Sequence, residues 1–138
     1  MNKEKTILIV EDEYITALDL KYTLEDLNYK IIAITDNGKE AIEIAAELSP
    51  DLTIMDINLK GEMSGIEAAS KIAEFNLPVI YLTANSDDAT FTKAIQNSSS
   101  YAFISKPFNS KIMKNNIEFA INRSIIENKK LNLTYGFK

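Results

Sequence analysis

Asp56 closes a short apolar run, Leu52-Thr53-Ile54-Met55. A buried strand that ends in a carboxylate holds it at the rim of a sheet, where open α/β folds bind their ligands. Three further strand-like runs end in residues suited to phosphate and metal chemistry. Thr6-Ile7-Leu8-Ile9-Val10 leads into Glu11-Asp12, Val79-Ile80-Tyr81-Leu82 into Thr83, and Ala102-Phe103-Ile104-Ser105 into Lys106-Pro107. With the first and third strands adjacent, Glu11, Asp12 and Asp56 meet and repel one another. A hard divalent cation such as Mg²⁺ relieves that repulsion, because it takes oxygen ligands and keeps several waters. Asp56 is the candidate nucleophile, since it is central and carboxylates form aspartyl-phosphate intermediates. Thr83 offers a hydroxyl to one phosphoryl oxygen, and Lys106 offers an ammonium to another.

Taken singly, most of these residues have a plain structural use. Glu11 and Asp12 could begin a helix, where acidic groups meet the positive end of the dipole. Thr83 could cap the end of a strand, and Lys106 could be a solvated surface lysine. An acid directly after Leu-Thr-Ile-Met has little such purpose. The conjunction of all five in one chain reverses the individual odds.

Composition narrows the chemistry further. The chain has 138 residues, 46% hydrophobic and 25% charged, the profile of one ordinary globular domain. Fifteen Lys and Arg against twenty Asp and Glu leave a formal charge of −5, which argues against direct nucleic-acid binding through a basic face. Neither cysteine nor histidine occurs. That removes disulfides, thiolate and imidazole metal ligands, cysteine nucleophiles and histidine triads, and it requires any phosphohistidine donor to come from a partner. No apolar run approaches the roughly 20 residues of a membrane span, and no secretory signal pattern opens the chain. The expectation is a cytoplasmic protein with no membrane contact.

Five strand-like stretches, at 6–10, 30–35, 52–55, 79–82 and 102–105, alternate with helical spacing. The strands are short and bulky rather than alternating, as suits parallel strands covered on both faces. Ile15, Leu18 and Leu24, with Ala17, Leu20 and Leu27, mark the first helix. Ala41, Ile42, Ala45 and Leu48 mark the second, and Ile66, Ala69, Ile72 and Ala73 the third. A weaker, more polar fourth spans 89–95, and a fifth follows the N-cap pair Asn109-Ser110. Turn signals fall at Asp36-Asn37-Gly38, Ser49-Pro50-Asp51 and Asn76-Leu77-Pro78. Regular βαβ alternation implies an α/β, doubly wound parallel sheet with right-handed crossovers. Helical character continues past Ile121, which divides the chain into a domain over 1–122 and a helical extension or linker over 123–138.

Four segments together resemble the receiver domain of two-component response regulators. They are Ile-Leu-Ile-Val-Glu-Asp-Glu (7–13), Pro-Asp-Leu-Thr-Ile-Met-Asp-Ile-Asn-Leu (50–59), Pro-Val-Ile-Tyr-Leu-Thr-Ala (78–84) and Ser-Lys-Pro-Phe (105–108). The resemblance implies a flavodoxin-like five-stranded parallel sheet of order 2-1-3-4-5 with five helices. It implies Asp56 as phosphoacceptor, Glu11 and Asp12 as metal-site acids, and Thr83 and Lys106 as residues that contact the phosphoryl group. The backbone carbonyl of Asn58 becomes a further Mg²⁺ ligand, and Phe103 takes the place of the aromatic switch. Phenylalanine lacks the hydroxyl that tyrosine would bring there; Tyr101, two residues earlier, falls on the same side and supplies one. A cis bond at Lys106-Pro107 is also implied. The chain departs from the family at Leu59–Gly65, which lacks the usual proline and is one residue longer, and at Ala102, where glycine is common. Asn58 and Asn85 flank the pocket at positions that tune acyl-phosphate lifetime.

The function this implies is a phosphorylation switch in a phosphorelay rather than an enzyme. A sensor histidine kinase or phosphotransfer protein would load Asp56, and the face of the fourth helix, fifth strand and fifth helix would change shape. Output would pass to a protein or domain outside this chain, with a homodimer as one form of it. Two rivals remain at this level. One is a Mg²⁺-dependent phosphatase, which would ordinarily place Asp-x-Asp after the first strand. The other is a scaffold that has lost its chemistry, against which the full set of five residues speaks. A dinucleotide enzyme lacks its Gly-x-Gly-x-x-Gly after the first strand.

Overall fold

The computed structural model describes residues 4–84 and 100–135, and for residues 100, 101 and 132–135 it gives the backbone. Nine elements follow one another: β1 (Thr6–Val10), α1 (Tyr14–Asp26), β2 (Lys30–Thr35), α2 (Gly38–Leu48), β3 (Leu52–Asp56), α3 (Gly65–Ala73), β4 (Val79–Thr83), β5 (Ser100–Ser105) and α4 (Ser110–Tyr135). The strands form one sheet in the order β2-β1-β3-β4-β5, every pairing parallel. Four helices lie among the described residues. The stretch 89–95, expected as a further helix, falls outside them.

Alternation along each strand builds two cores. Leu8, Val10, Met55 and Tyr81 point to one face and pack with Ala41 and Ala45 of α2 and Ile66, Ala69 and Ile72 of α3. Ile7, Ile9, Ile54, Ile80 and Leu82 point to the other and pack with Leu20 and Leu24 of α1 and Met113, Ile117 and Ile121 of α4. Strands buried on both faces need no polar alternation, so β3 and β4 are buried end to end. Each fully buried Ile or Leu here is worth about 1.5–3 kcal/mol of transfer free energy.

The helix starts are set by local chemistry. The Asn37 side chain accepts from the Glu40 N–H at 2.9 Å to cap α2. Ser64 and Glu67 form a reciprocal capping box on α3, and Asn109 Oδ1 accepts from the Ile112 N–H at 2.9 Å at the start of α4. α1 is the exception: Glu13 occupies the N-cap position and its side chain makes no capping bond. Turns at Asn28, Ser49 and Asn76 take positive φ of 72°, 45° and 61°, a conformation asparagine tolerates better than most residues. Asp51 accepts from the Thr6 N–H at 2.8 Å and its own N–H donates to Thr6 Oγ1 at 3.1 Å. That exchange locks the starts of β1 and β3 and fixes the register that carries their far ends to the same edge.

The last helix runs unbroken to Tyr135. Ser124 is buried, and the Asn128 amide reaches the Asn76 carbonyl at 3.4 Å, so the helix stays against the α3–β4 turn beyond residue 122. Among the described residues no helix is long and apolar enough to cross a membrane.

Candidate metal and phosphoryl site

The carboxyl ends of β1, β3, β4 and β5 meet at one rim of the sheet. Backbone bonds beyond the strands hold the site residues in line. The Glu11 N–H reaches the Thr35 carbonyl at 2.9 Å, the Ile57 N–H the Leu82 carbonyl at 3.0 Å, and the Lys106 N–H the Thr83 carbonyl at 2.8 Å. Asp56 and Thr83 are the terminal residues of β3 and β4, so both strands run one residue further than their apolar runs. The ladder accepts a polar residue as long as its N–H and carbonyl find partners. The Lys106-Pro107 bond is cis.

Glu11, Asp12 and Asp56 come together with their oxygens within 4.8 Å of one another. Glu11 and Asp56 are buried. Each acid is aimed by a backbone donor. The Glu13 N–H donates to Glu11 Oε2 at 3.0 Å, the Asn58 N–H to Asp56 Oδ1 at 3.0 Å, and the Lys60 N–H to Asp12 Oδ2 at 3.0 Å. The last bond ties the β3–α3 loop to the acid pair. Asp56 Oδ2 faces the Lys106 ammonium at 3.7 Å, while that ammonium lies closer to Glu11 Oε1, at 2.8 Å, and Glu13 Oε1, at 3.2 Å. The buried Glu11 Oε1 is therefore the ammonium's nearest carboxylate oxygen.

Burial pushes the Glu11 carboxyl up to about 7, and the neighbouring Asp56 carboxyl adds to the rise against the pull of Lys106 and the Glu13 N–H. For Lys106 burial acts downward, but the Glu11 contact and the charges of Asp56, Glu11 and Glu13 outweigh it and raise the ammonium above its usual value. Burial dominates at Glu11, whereas the surrounding carboxylates dominate at Lys106. Three convergent carboxylates, two of them buried, are the donor set a hard divalent cation takes. Glu11 and Asp12 also line an open hollow of about 340 Å³ with Thr35, Asp36 and Glu40. The residues fit such an ion.

A stability test follows from Glu11. Its folded value of about 7 lies above the ordinary 4.5, so the folded protein binds this proton more tightly than the unfolded chain. The stability so gained is present below about 4.5 and lost as pH rises through about 7. Without metal, raising the pH across that interval is expected to cost on the order of 2–3 kcal/mol from this group. Mg²⁺ is expected to stabilise the protein more at about pH 8 than at about pH 5. Thermal unfolding at both pH values checks this, and a Mg²⁺ effect equal at the two would contradict it.

Thr83 is buried at the end of β4, in register with Ser105 of β5. Phe103 is half-buried, its ring centroid 5.3 Å from that of Tyr81 at a 32° tilt. Tyr101 lies on β5, its side chain outside the described residues, as is Asn85. Asn58 reaches the site through its N–H. Two residues at this rim were not singled out by sequence. Glu13 follows the acid pair directly, yet spacing could not say that it would turn to Lys106 instead of capping α1. Gly65, at the first turn of α3, packs against the Asp56 backbone, where a Cβ would overlap the Asp56 carbonyl oxygen.

A family model of the response regulator receiver domain matches residues 7–118. Transcriptional regulatory protein PdtaR of Mycobacterium tuberculosis is 35% identical over 120 residues, covering 86% of this chain and 58% of that protein. The chain therefore spans little more than half of that relative. Chemotaxis protein CheY of Thermotoga maritima is 35% identical over 106 residues, 75% of this chain and 87% of that protein. Among solved structures, the signal receiver domain of a modulated diguanylate cyclase from Desulfovibrio desulfuricans superposes with a TM-score of 0.86 at 35% identity, over 91% of this chain and 99% of that one. The five-stranded order, the acidic rim and the match over most of the chain agree: this chain belongs to the response regulator receiver domain family.

Proposed function

We propose that the chain is a phosphorylation switch in which Asp56 accepts a phosphoryl group from a phosphohistidine on a partner sensor kinase or phosphotransfer protein. The observation that carries this reading is the setting of Asp56. It is buried at a strand end, with Oδ1 held by the Asn58 N–H at 3.0 Å and Oδ2 turned toward the Lys106 ammonium at 3.7 Å. One oxygen is thus fixed and the other is presented. Attack by Asp56 on phosphorus forms the P–O bond as the P–N bond to imidazole breaks, and the imidazole leaves to the partner. Lys106 and the Thr83 hydroxyl take the charge on two phosphoryl oxygens.

Mg²⁺ held by Glu11, Asp12, Asp56 and the Asn58 carbonyl would neutralise the acids and the incoming oxygens. As Thr83 and Lys106 close on the phosphoryl group, Phe103 fills the space behind Thr83. The surface formed by β5 and α4 then exchanges one packing for another. In this reading the chain is a cytoplasmic regulatory domain, not an enzyme acting on a separate substrate. The receiver unit occupies 1–122, with 123–138 an extension or linker, and output passes through a partner protein, a further domain or a homodimer.

The test is intact-protein mass after incubation with acetyl phosphate, with Mg²⁺ or with chelator. A single phosphate in the Mg²⁺ sample alone is expected. Equal labelling with chelator, or several phosphates, would overturn the reading.

A further inference from the structure

We infer that Glu13 is a positioning residue that holds the Lys106 ammonium away from the phosphoacceptor until a phosphoryl group displaces it. The inference rests on the phosphoacceptor reading above. Three carboxylates surround that ammonium, and the one it must serve is the most distant: Glu11 lies at 2.8 Å, Glu13 at 3.2 Å and Asp56 at 3.7 Å. Both nearer acids belong to the β1–α1 turn, and of the two only Glu11 is clustered with Asp56.

Glu13 stands at the N-cap position of α1 and makes no side-chain capping bond, as glutamate is not among the side chains that usually cap there. Its Oε1 instead receives Lys106 at 3.2 Å and the Thr16 hydroxyl at 3.5 Å, so Thr16 steadies the same oxygen that holds the lysine. The two acids differ in how firmly they hold. The Glu11 side chain is 0% exposed and the Glu13 side chain 61% exposed. A solvated carboxylate regains water when its partner leaves, and such pairs are weak. Glu11 is bound into the site, whereas Glu13 can let go. A phosphoryl group on Asp56 brings more negative charge to the far side of the ammonium, and the Glu13 contact is the one that yields.

Losing that contact should therefore make Lys106 available to the phosphoryl group sooner. The test measures the dissociation constant of beryllofluoride, a nonhydrolysable phosphoryl mimic, at saturating Mg²⁺. It compares the wild-type protein with Glu13→Gln, Glu13→Asp and Asp36→Asn. Glu13→Gln removes the charge. Glu13→Asp keeps the charge but shortens the reach to Lys106. Asp36→Asn removes a charge from the hollow beside Glu11 and Asp12 without a Lys106 contact. Both Glu13 variants are expected to bind beryllofluoride about two- to fivefold tighter, with Asp36→Asn close to wild type and the unliganded Tm of all four alike. Wild-type affinity in Glu13→Gln overturns the inference. So does tightening shared by Asp36→Asn but absent in Glu13→Asp, since charge alone would then account for it. Failure of the wild-type protein itself to bind beryllofluoride is a separate result and overturns the phosphoacceptor reading together with this one.

Discussion

Asp56→Asn is expected to abolish phosphoryl acceptance altogether while leaving the fold intact. The amide oxygen can take the place of Oδ1 and keep the Asn58 N–H bond, 3.0 Å long in the wild type, so the turn after β3 has no reason to move. The nucleophile, however, is gone, because a neutral amide cannot form the acyl phosphate. Stability should move in the opposite direction to activity. Glu11 is held up partly by the Asp56 carboxyl beside it, and removing that charge relieves the pocket. The metal-free variant should unfold about 1 kcal/mol harder than wild type, and Mg²⁺ should stabilise it less. Intact mass after acetyl phosphate and thermal unfolding with and without Mg²⁺ check both halves. A phosphate adduct retained in the variant would mean that another residue is the acceptor.

Gly65→Ala is expected to cost about 2–3 kcal/mol, a Tm about 10 °C lower for a chain of this size. Gly65 is not required for a left-handed backbone. It is required for space: a Cβ there would overlap the Asp56 carbonyl oxygen and stand 3.1 Å from both the Asp56 carbonyl carbon and the Ile57 Cα. All three neighbours are backbone and cannot swing aside. α3 cannot retreat easily either, since its capping box fixes the start and Ile66, Ala69 and Ile72 anchor it in the core. The strain therefore falls on the end of β3 at Asp56, and labelling by acetyl phosphate should fall with stability. Gly38→Ala is the comparison, because its Cβ would meet the side chains of Ala68 at 3.2 Å and Met63 at 3.4 Å, and methionine can adjust. Equal melting of the two variants would contradict this account of Gly65.

The difference between these two glycines shows what a sequence can and cannot carry. The strands were legible because four or five bulky residues in a row, bounded by turn residues, suit only a strand covered on both faces. Asp56, Glu11, Thr83 and Lys106 were legible as a group because each follows such a run. Parallel strands bring those ends to one rim whatever the loops do. Gly65 gave no sign, since the close approach of α3 to Asp56 arises from helix–sheet packing. Helix faces were read less well. Ile15 marks α1 by its spacing, yet it is 75% exposed while Ala17, Leu20 and Leu24 are buried. Apolar residues occur on both sides of that helix, so periodicity does not say which side faces the sheet. Glu13 was hidden for a related reason: nothing in the local sequence points an acid at the start of α1 toward a lysine 93 positions away.

Borohydride trapping tests the central claim most directly, because it reports the position of the acyl phosphate rather than its existence. Reduction of an aspartyl phosphate leaves homoserine in its place, and peptide sequencing by mass spectrometry locates it. After acetyl phosphate and Mg²⁺, homoserine at position 56 and at no other aspartate is the predicted result. Homoserine at Asp12 or Asp51 with Asp56 unchanged would contradict the account.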